Sequence, residues 1–266
     1  MKKNKRCIIT GTNSVIGKYL TLRFQQDGWT IIKISSKKNK GSHYHKLGSQ
    51  IKIENNIVRN ADLLIHCAYD FSLNQWNEIV DVNVKGSKDI FKFAHENQVK
   101  TIINISSLSS YNDANSKYGK AKFLIEKTGK IFNVINLRCG LIITNNKKSL
   151  YCKIKNISKK YFFFPLIGNG HQKIHLLKLN KLFSEIFKIL DNKKKLKDQI
   201  VYVGDVKFIL FKDFVKKFNK NKFFIYVPKF IIKNILIIFD FFKINIGFNY
   251  DNYLGLVRYN KKIKFK

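Results

Sequence analysis

The sequence is poor in acidic residues and in arginine. Only 17 Asp and Glu stand against 51 Lys and Arg, which gives a formal net charge of +34. Such a charge attracts anions, and nucleic acid is the first partner to consider. However, only five of the basic residues are arginines, which base-reading sites favour, and the lysines are spread along the whole chain. Because the sequence has no zinc-finger or RNP-like motif either, we expect no nucleic-acid partner, but a lysine-rich surface that favours small anions.

Cysteines and long apolar runs are also scarce. The four cysteines, Cys7, Cys67, Cys139 and Cys152, are widely scattered and form no CxxC pair. This spacing fits neither a zinc site nor a disulfide framework, so we predict no metal. The basic first residues precede an apolar run that is far too short for an export signal, and we expect a cytoplasmic protein.

No stretch has the length of a membrane span. The nearest is residues 230–242, which are apolar apart from Lys233, Asn234 and Asp240. This stretch predicts a helix that faces the core or a partner. Contact with a membrane surface is an alternative that we do not favour.

Short apolar runs alternate with longer amphipathic segments up to about residue 145, as in βαβ units around a parallel sheet. The order predicts an α/β fold with a Rossmann-type doubly wound parallel sheet. The predicted strands are residues 6–10, 29–35, 62–68, 101–106 and 132–137, and the predicted helices are 17–27, 77–97 and 116–127.

The pattern is less regular in residues 146–266, where we predict strands over 174–177 and 199–203 and helices over 179–190 and 211–218. We expect this part to form a small C-terminal substrate lobe over the carboxyl ends of the strands, where α/β proteins bind ligands. The lobe and residues 1–145 are expected to form a single integrated unit.

A glycine-containing turn lies between the first predicted strand and the first predicted helix, with the sequence TGTNSVIG over residues 10–17. Gly11 allows a tight turn, Gly17 lets the helix pack closely on the strand, and the helix N-terminus offers free N–H groups to a pyrophosphate. The turn therefore predicts a dinucleotide site in residues 1–145. The cofactor-binding residues predicted here are Gly11, Asn13, Ser14, Val15, Ile16 and Gly17.

The end of the second predicted strand indicates which dinucleotide binds. An NAD-selective site usually has an acidic residue there, which binds the ribose 2′-hydroxyl. This chain has Ser35, Ser36 and Lys37 instead, which would suit a 2′-phosphate. We therefore predict an NAD(P) cofactor, with NADP slightly favoured over NAD.

In this turn the chain resembles the short-chain dehydrogenase/reductase superfamily, and more closely its NAD-dependent epimerase/dehydratase branch, which commonly has TGxxGxxG. Ser14 stands in the place of the middle glycine, and because serine is small we expect binding to persist. Residues 62–68 resemble the family's DxxxHxA strand, whose end, here Cys67 and Ala68, passes beside the cofactor. By the same resemblance, His66 is expected to be structural.

Three further matches extend the resemblance. Residues 83–86 match the family's NVxG segment, which implies that Asn83 organises the site near the cofactor. The Leu-Arg pair at 137–138 matches the family's sixth strand, and residues 165–170 weakly resemble the start of its substrate lobe. The resemblance also implies a homodimer through the helices at about 77–97 and 116–129.

Tyr118 and Lys122 have the YxxxK spacing, which places both side chains on one face of a helix. A phenol has a pKa of about 10 and is a poor base at neutral pH. A nearby ammonium, helped by an oxidised nicotinamide, should lower this pKa. Tyr118 can then take or return a hydroxyl proton while hydride moves to or from the cofactor, and Lys122 should also hold the nicotinamide ribose.

YxxxK by itself is common in so lysine-rich a chain, and its context supports a catalytic role. Two serines end the predicted strand that precedes it. By resemblance, Ser107 binds the substrate's carbonyl or hydroxyl, with Ser106 as the alternative.

The epimerase/dehydratase branch acts chiefly on nucleotide sugars, which suit a basic protein. Its 4,6-dehydratases have an Asp-Glu pair directly after the catalytic serine or threonine, where this chain has Leu108 and Ser109, so dehydration is disfavoured. A nucleotide-sugar ketoreductase or epimerase with a Ser/Tyr/Lys mechanism remains. Only 11 positions separate Ser107 from Tyr118, fewer than in many sugar epimerases, which slightly favours a reductase.

Two other classes of function stay open. A non-catalytic dinucleotide-binding sensor or assembly protein would not need the serine, tyrosine and lysine. A basic nucleic-acid-binding protein would bind RNA or DNA with a steep salt dependence.

Overall fold

The computed structural model describes residues 5–147, 149–191, 200–220, 223–244, 248–257, 263 and 265. The strands are β1 Arg6–Thr10, β2 Thr30–Ser35, β3 His43–Tyr44, β4 Leu63–His66, β5 Ile102–Ser107, β6 Ile135–Cys139, β7 Leu141–Ile142, β8 Phe163–Ile167, β9 Lys173–Ile174, β10 Leu176–Leu177, β11 Ile200–Val203, β12 Ile209–Leu210 and β13 Phe223–Val227. The helices are α1 Val15–Gln26, α2 Asn55–Val58, α3 Trp76–Glu78, α4 Gly86–Glu96, α5 Lys117–Gly129, α6 Leu150–Lys160, α7 Leu179–Asp191, α8 Phe211–Lys216, α9 Lys229–Phe241 and α10 Tyr250–Val257.

Seven parallel strands form the central sheet, in the order β11-β6-β5-β4-β1-β2-β3. Successive residues of β1 alternate between two cores: Ile8 packs on the side of α4 and α5, whereas Cys7 and Ile9 pack on the side of α1 and α7. Helices thus cover both faces of a parallel sheet, which confirms the predicted Rossmann-type doubly wound fold.

Three predicted boundaries differ for identifiable reasons. Helix α1 begins at Val15, two residues before the prediction, because Ser14 caps it. The strand predicted over 132–137 begins only at Ile135, since a 3₁₀ turn ends in a left-handed Asn133 (φ 53°). The helix predicted over 77–97 consists of α3, a π-helical segment over Ile79–Lys85, and α4. Gln199, where the predicted strand 199–203 begins, lies outside the described residues.

The part after residue 145 has more regular structure than the sequence pattern predicts. Helix α6 and strands β8 and β13 were not predicted, and β8 and β13 pair in parallel. Helix α9 corresponds to the stretch 230–242, which was predicted to face the core or a partner. It is not a core helix, because Leu236 is its buried residue, and a partner-facing role stays a prediction. Among the described residues, no helix combines the length and the apolar character that crossing a membrane requires.

Candidate functional site

The carboxyl ends of β1, β4 and β5 lie side by side at the middle of the sheet. The chain leaves β1 and β4 towards opposite edges, so this is the topological switch point at which open α/β sheets bind ligands. The predicted residues after these strands, in the turn 10–17, at Cys67 and Ala68, and at Ser107, therefore belong to one edge.

The turn after β1 has no room for larger residues at its two glycines. Gly11 has a positive φ of 66°, and a Cβ on it would stand 2.7 Å from Cα of Ala68. A Cβ on Gly17 would stand 2.3 Å from the carbonyl oxygen of Gly11. Both positions require glycine, and the close packing brings the N-terminus of α1 to the end of β4.

Ser14 replaces the family's middle glycine without backbone strain. Its φ of −73° and ψ of 164° are open to any residue, and its hydroxyl accepts the N–H of Gly17 at 3.0 Å as the helix N-cap. The N–H groups of Val15 and Ile16, in the first turn of α1, have no intrahelical acceptor. Together with the glycine-lined turn they fit a dinucleotide pyrophosphate.

Ser35 has a different role from the one predicted. Its buried hydroxyl accepts hydrogen bonds from Nδ2 of Asn13 at 2.6 Å and from the N–H of Lys37 at 3.0 Å, and it donates to the carbonyl of Lys37. Asn39 also donates to Oδ1 of Asn13. Ser35 therefore ties the glycine turn to the end of β2, and exposed Ser36 and Lys37 are left to meet a ligand there.

His66 is a structural residue, as expected. Its Nδ1 lies 2.9 Å from Oγ1 of Thr10, and its Nε2 lies 2.9 Å from Oγ of Ser87. Burial lowers its pKa to about 3, and the positive charge of Lys122 acts in the same direction. The imidazole is therefore neutral and holds β4 against β1 rather than acting as a base.

Asn83 organises the loop beside the site. It lies in the π-helical segment, is fully buried, and its amide group accepts the N–H of Asp70 at 2.7 Å and donates to the carbonyl of Asp70 at 3.1 Å. Both ends of the amide are thus used on the backbone. Asn83 therefore positions the loop after β4, and its hydrogen bonds do not indicate a direct contact with the cofactor.

The three predicted catalytic residues converge. The Ser107 side chain lies close enough to Tyr118 to favour its phenolate and so to lower the pKa of the phenol. Nζ of Lys122 is buried, donates to the carbonyl of Ile105 at 2.9 Å, and lies 6.0 Å from the ring centre of Tyr118 and 4.9 Å from that of Tyr69. Residues from β5 and α5 therefore form one hydroxyl–hydroxyl–ammonium cluster.

The acid–base properties of this cluster differ from the prediction. Burial raises the pKa of the Tyr118 phenol, and the Ser107 side chain opposes this only in part. Burial lowers the pKa of Lys122 to about 8. The protein's own groups therefore raise the pKa of Tyr118 instead of lowering it, and the lowering expected with an oxidised nicotinamide beside Lys122 stays a prediction.

The structure separates the two candidate serines. The buried hydroxyl of Ser106 donates to Oε1 of Glu126, and Arg138 binds both oxygens of the same carboxylate at 2.7–3.2 Å. Glu126 and Arg138 thus form a buried ion pair that engages Ser106. Ser107, beside Tyr118, is the serine that can meet a substrate.

Sequence reasoning missed two aromatic residues and one acidic residue of the site. The Tyr69 ring meets Tyr118 edge-on at 5.2 Å, and exposed Phe71 stacks on Tyr118 at 5.6 Å. Both follow the DxxxHxA strand directly, which is a signal that could have identified them. The carboxylate of Asp251, in α10, accepts the N–H groups of Lys117 and Tyr118 at 2.5 and 3.2 Å, and no local pattern indicates this contact.

Comparisons with known proteins agree with this geometry. Residues 7–131 match the family model described as "NAD dependent epimerase/dehydratase family". No curated protein sequence matches the chain.

Three similar solved structures give the range of neighbours. MoeE5, in complex with UDP-glucuronic acid and NAD, has a TM-score of 0.65 at 15% identity, over 84% of this chain and 85% of that one. UDP-N-acetylglucosamine 4-epimerase from Bacillus cereus has a TM-score of 0.66 at 17% identity, over 85% of this chain and 89% of that one. A dTDP-4-dehydrorhamnose reductase from Clostridium acetobutylicum has a TM-score of 0.67 at 15% identity, over 84% of this chain and 83% of that one. At such identities the likeness shows the fold.

Residues 7–131, a little under half of the chain, are therefore similar to the NAD-dependent epimerase/dehydratase family, and the solved structures share the fold.

Proposed function

We propose that the chain is a nucleotide-sugar ketoreductase or epimerase that uses NAD(P), with Ser107, Tyr118 and Lys122 as its catalytic residues. The observation that carries the proposal is the convergence of three residues: the Ser107 side chain acts on the Tyr118 phenol, and the buried Lys122 ammonium lies 6.0 Å from the centre of the Tyr118 ring. This cluster lies at the same sheet edge as the glycine turn that fits a pyrophosphate.

Each residue has a distinct role in this proposal. The pyrophosphate of the cofactor is held by Gly11, Ser14 and the first turn of α1. The bound cofactor would accept or supply a hydride. Ser107 hydrogen-bonds the oxygen of the reacting carbon and orients it. Tyr118 gives a proton to that oxygen during reduction and takes it back during oxidation. Lys122 stabilises the phenolate and holds the nicotinamide ribose.

The short spacing between Ser107 and Tyr118 slightly favours reduction within this pair of reactions. Only 11 positions separate Ser107 from Tyr118, fewer than in many sugar epimerases, and a phenol that is protonated at neutral pH can donate its proton to a carbonyl oxygen as the carbon receives hydride. An epimerase needs the same residue as a base in its first step. We therefore rank ketoreductase before epimerase.

The cofactor and the substrate follow from the sheet edge and the charge. Ser36 and Lys37 are exposed after β2, without an acidic residue to bind a ribose 2′-hydroxyl, so NADP is slightly favoured over NAD. The nucleotide sugar is proposed because MoeE5 binds UDP-glucuronic acid and because a charge of +34 suits a diphosphate. A cytoplasmic location and a homodimer remain part of the proposal.

Cofactor titration and one substitution test the proposal. We expect saturable NADPH binding, weaker NADH binding, and oxidation of NADPH by UDP- or dTDP-linked keto-sugars. Tyr118→Phe should keep the cofactor affinity and lose turnover by about 10²–10⁴-fold. Tyr161→Phe, at a half-exposed tyrosine, is the matched control. Full turnover by Tyr118→Phe, or no binding of either cofactor, would overturn the proposal.

A further inference from the structure

Helix α9 has an apolar face that no described part of the chain covers. Its inner face is formed by Leu236, which is 3% exposed, and by half-buried Ile232 and Phe239. The residues on the opposite side expose 38–79% of their surface, and seven of them are large and apolar: Phe230, Ile231, Ile235, Ile237, Ile238, Phe241 and Phe242. Asn234 is the polar residue among them.

The size of this face is unusual for a soluble surface. Side chains of this size and exposure amount to about 700 Å² of apolar area, whereas soluble monomers usually expose a few hundred Å² in one patch. Strand β13, which leads into α9 through Pro228, adds exposed Phe223, Ile225 and Tyr226. Phe223 lies 4.8 Å from exposed Phe162 beside β8.

The helix is firmly attached to the protein through its inner face. Leu236 packs in a cluster with Tyr253 of α10, and the Tyr253 hydroxyl donates to the carbonyl of Lys229 at 3.1 Å. Helix α10 in turn contacts α5 through Asp251. The apolar face is therefore presented outward by a fixed helix.

The positive charge around α9 favours an anionic bilayer over a second copy of this chain as the partner that covers this face. Residues 207–243 contain nine lysines and two aspartates, and Lys229, Lys233 and Lys243 are exposed on α9 or directly after it. Two copies that paired these faces about a two-fold axis would bring the same lysines together, with Asp240 as the acidic residue that α9 offers each partner. An anionic bilayer supplies an apolar interior and negative headgroups at once.

We propose that α9 docks this protein on the surface of an anionic lipid bilayer, with Phe230, Ile238, Phe241 and Phe242 below the headgroups. Lys229, Lys233 and Lys243 lie at headgroup level, where their stems cover apolar surface and their ammonium groups meet lipid phosphates. The helix lies in the interface and does not cross the bilayer, since 13 residues are too few to span it.

Vesicle binding by the full chain tests the proposal. The probes are vesicles of phosphatidylcholine alone and vesicles in which about a third of the lipid is phosphatidylglycerol. We expect the protein to sediment with the anionic vesicles and to bind the neutral ones at least tenfold more weakly. Because a strongly basic protein also adheres to anionic vesicles by charge alone, the decisive comparison is between variants.

Phe241→Ser combined with Phe242→Ser should weaken binding to anionic vesicles at least tenfold, whereas Ile131→Ser, at an exposed isoleucine outside α9, should not. Lys229→Gln with Lys233→Gln and Lys243→Gln should also weaken it. The same change at three exposed lysines elsewhere, Lys88, Lys127 and Lys130, is the matched control. Equal binding by the α9 variants and their controls would overturn the proposal.

A second readout does not depend on how well a destabilised variant folds. Tryptophan fluorescence of Phe241→Trp should shift to the blue on anionic vesicles and be quenched by brominated lipid chains, and that of Ile131→Trp should not. A dimer that dissociates in the serine double variant, without quenching in Phe241→Trp, would identify a second copy as the occupant and overturn the proposal. The proposal would also be overturned if RNA displaced the protein from anionic vesicles and brominated lipid did not quench Phe241→Trp.

Discussion

Replacing Lys122 by methionine should abolish turnover and at the same time stabilise the fold. Nζ of Lys122 is buried between α5 and β5, and burial lowers its pKa from 10.5 to about 8. A depression of this size means that the charged form costs about 3 kcal/mol in the folded protein. Methionine keeps the length of the side chain and removes the charge.

The expected gain is smaller than this cost because one hydrogen bond is lost. Lys122 donates to the carbonyl of Ile105 at 2.9 Å, and leaving this acceptor without a donor costs about 1 kcal/mol. The net stabilisation at pH 7 is about 2 kcal/mol, which for a chain of this size raises the thermal midpoint by about 4–8 °C. Lys127→Met, at an exposed lysine of the same helix, should change it little.

The pH dependence makes the prediction specific. Since the pKa of Lys122 is lowered by folding, the unfolded state binds more protons than the folded state between pH 8 and 10.5. The stability of the unmodified chain therefore rises with pH across this window, and its deficit relative to Lys122→Met should shrink. Urea unfolding at pH 7, 8, 9 and 10 measures the gap. A less stable variant at pH 7, or a gap that does not change with pH, would refute the reasoning.

Three further expectations concern Glu126, Asp251 and His66. Glu126→Gln leaves Arg138 buried without its carboxylate and should cost about 3 kcal/mol in urea unfolding. Glu96→Gln, in the solvent-exposed pair with Lys92, should cost under about 1 kcal/mol; equal costs would contradict this. Asp251→Asn weakens the cap of α5 and should lower turnover several-fold with NADPH affinity unchanged; unchanged kcat would count against a positioning role. Because folding lowers the pKa of His66 to about 3, stability should fall as pH falls below 6.5, and His66→Gln should lose less stability between pH 6 and 4; parallel curves would rule this out.

The parts of the site that the sequence predicts are those with local patterns. The glycine turn, the strand that ends at His66, and the Tyr118–Lys122 helix each depend on spacings of a few residues, and all three lie where the sequence indicates. The convergence of Ser107, Tyr118 and Lys122 follows from them, because parallel strands end at a common edge.

The parts that it does not predict depend on partners distant in sequence. Nothing near Ser106 shows that Glu126 and Arg138 will engage it, and this ion pair is what assigns Ser107 to the site. The phosphate-binding role predicted for Ser35 did not take Asn13 into account. Asn13 lies 22 positions away in sequence and donates a hydrogen bond to the Ser35 hydroxyl. For α9 the prediction left a core-facing and a partner-facing helix open, because an apolar run does not reveal what packs against it.

The cap that Asp251 places on α5 also has a consequence for the order in which the site is completed. The two capped N–H groups are separated from Asp251 by more than 130 positions. Because Asp251 follows Lys117 and Tyr118 along the chain, its cap on the first turn of α5 can form only after the residues up to Asp251 have been synthesised. A chain that stops before α10 would keep Ser116 as the N-cap of α5 but would lack the carboxylate that accepts the N–H groups of Lys117 and Tyr118.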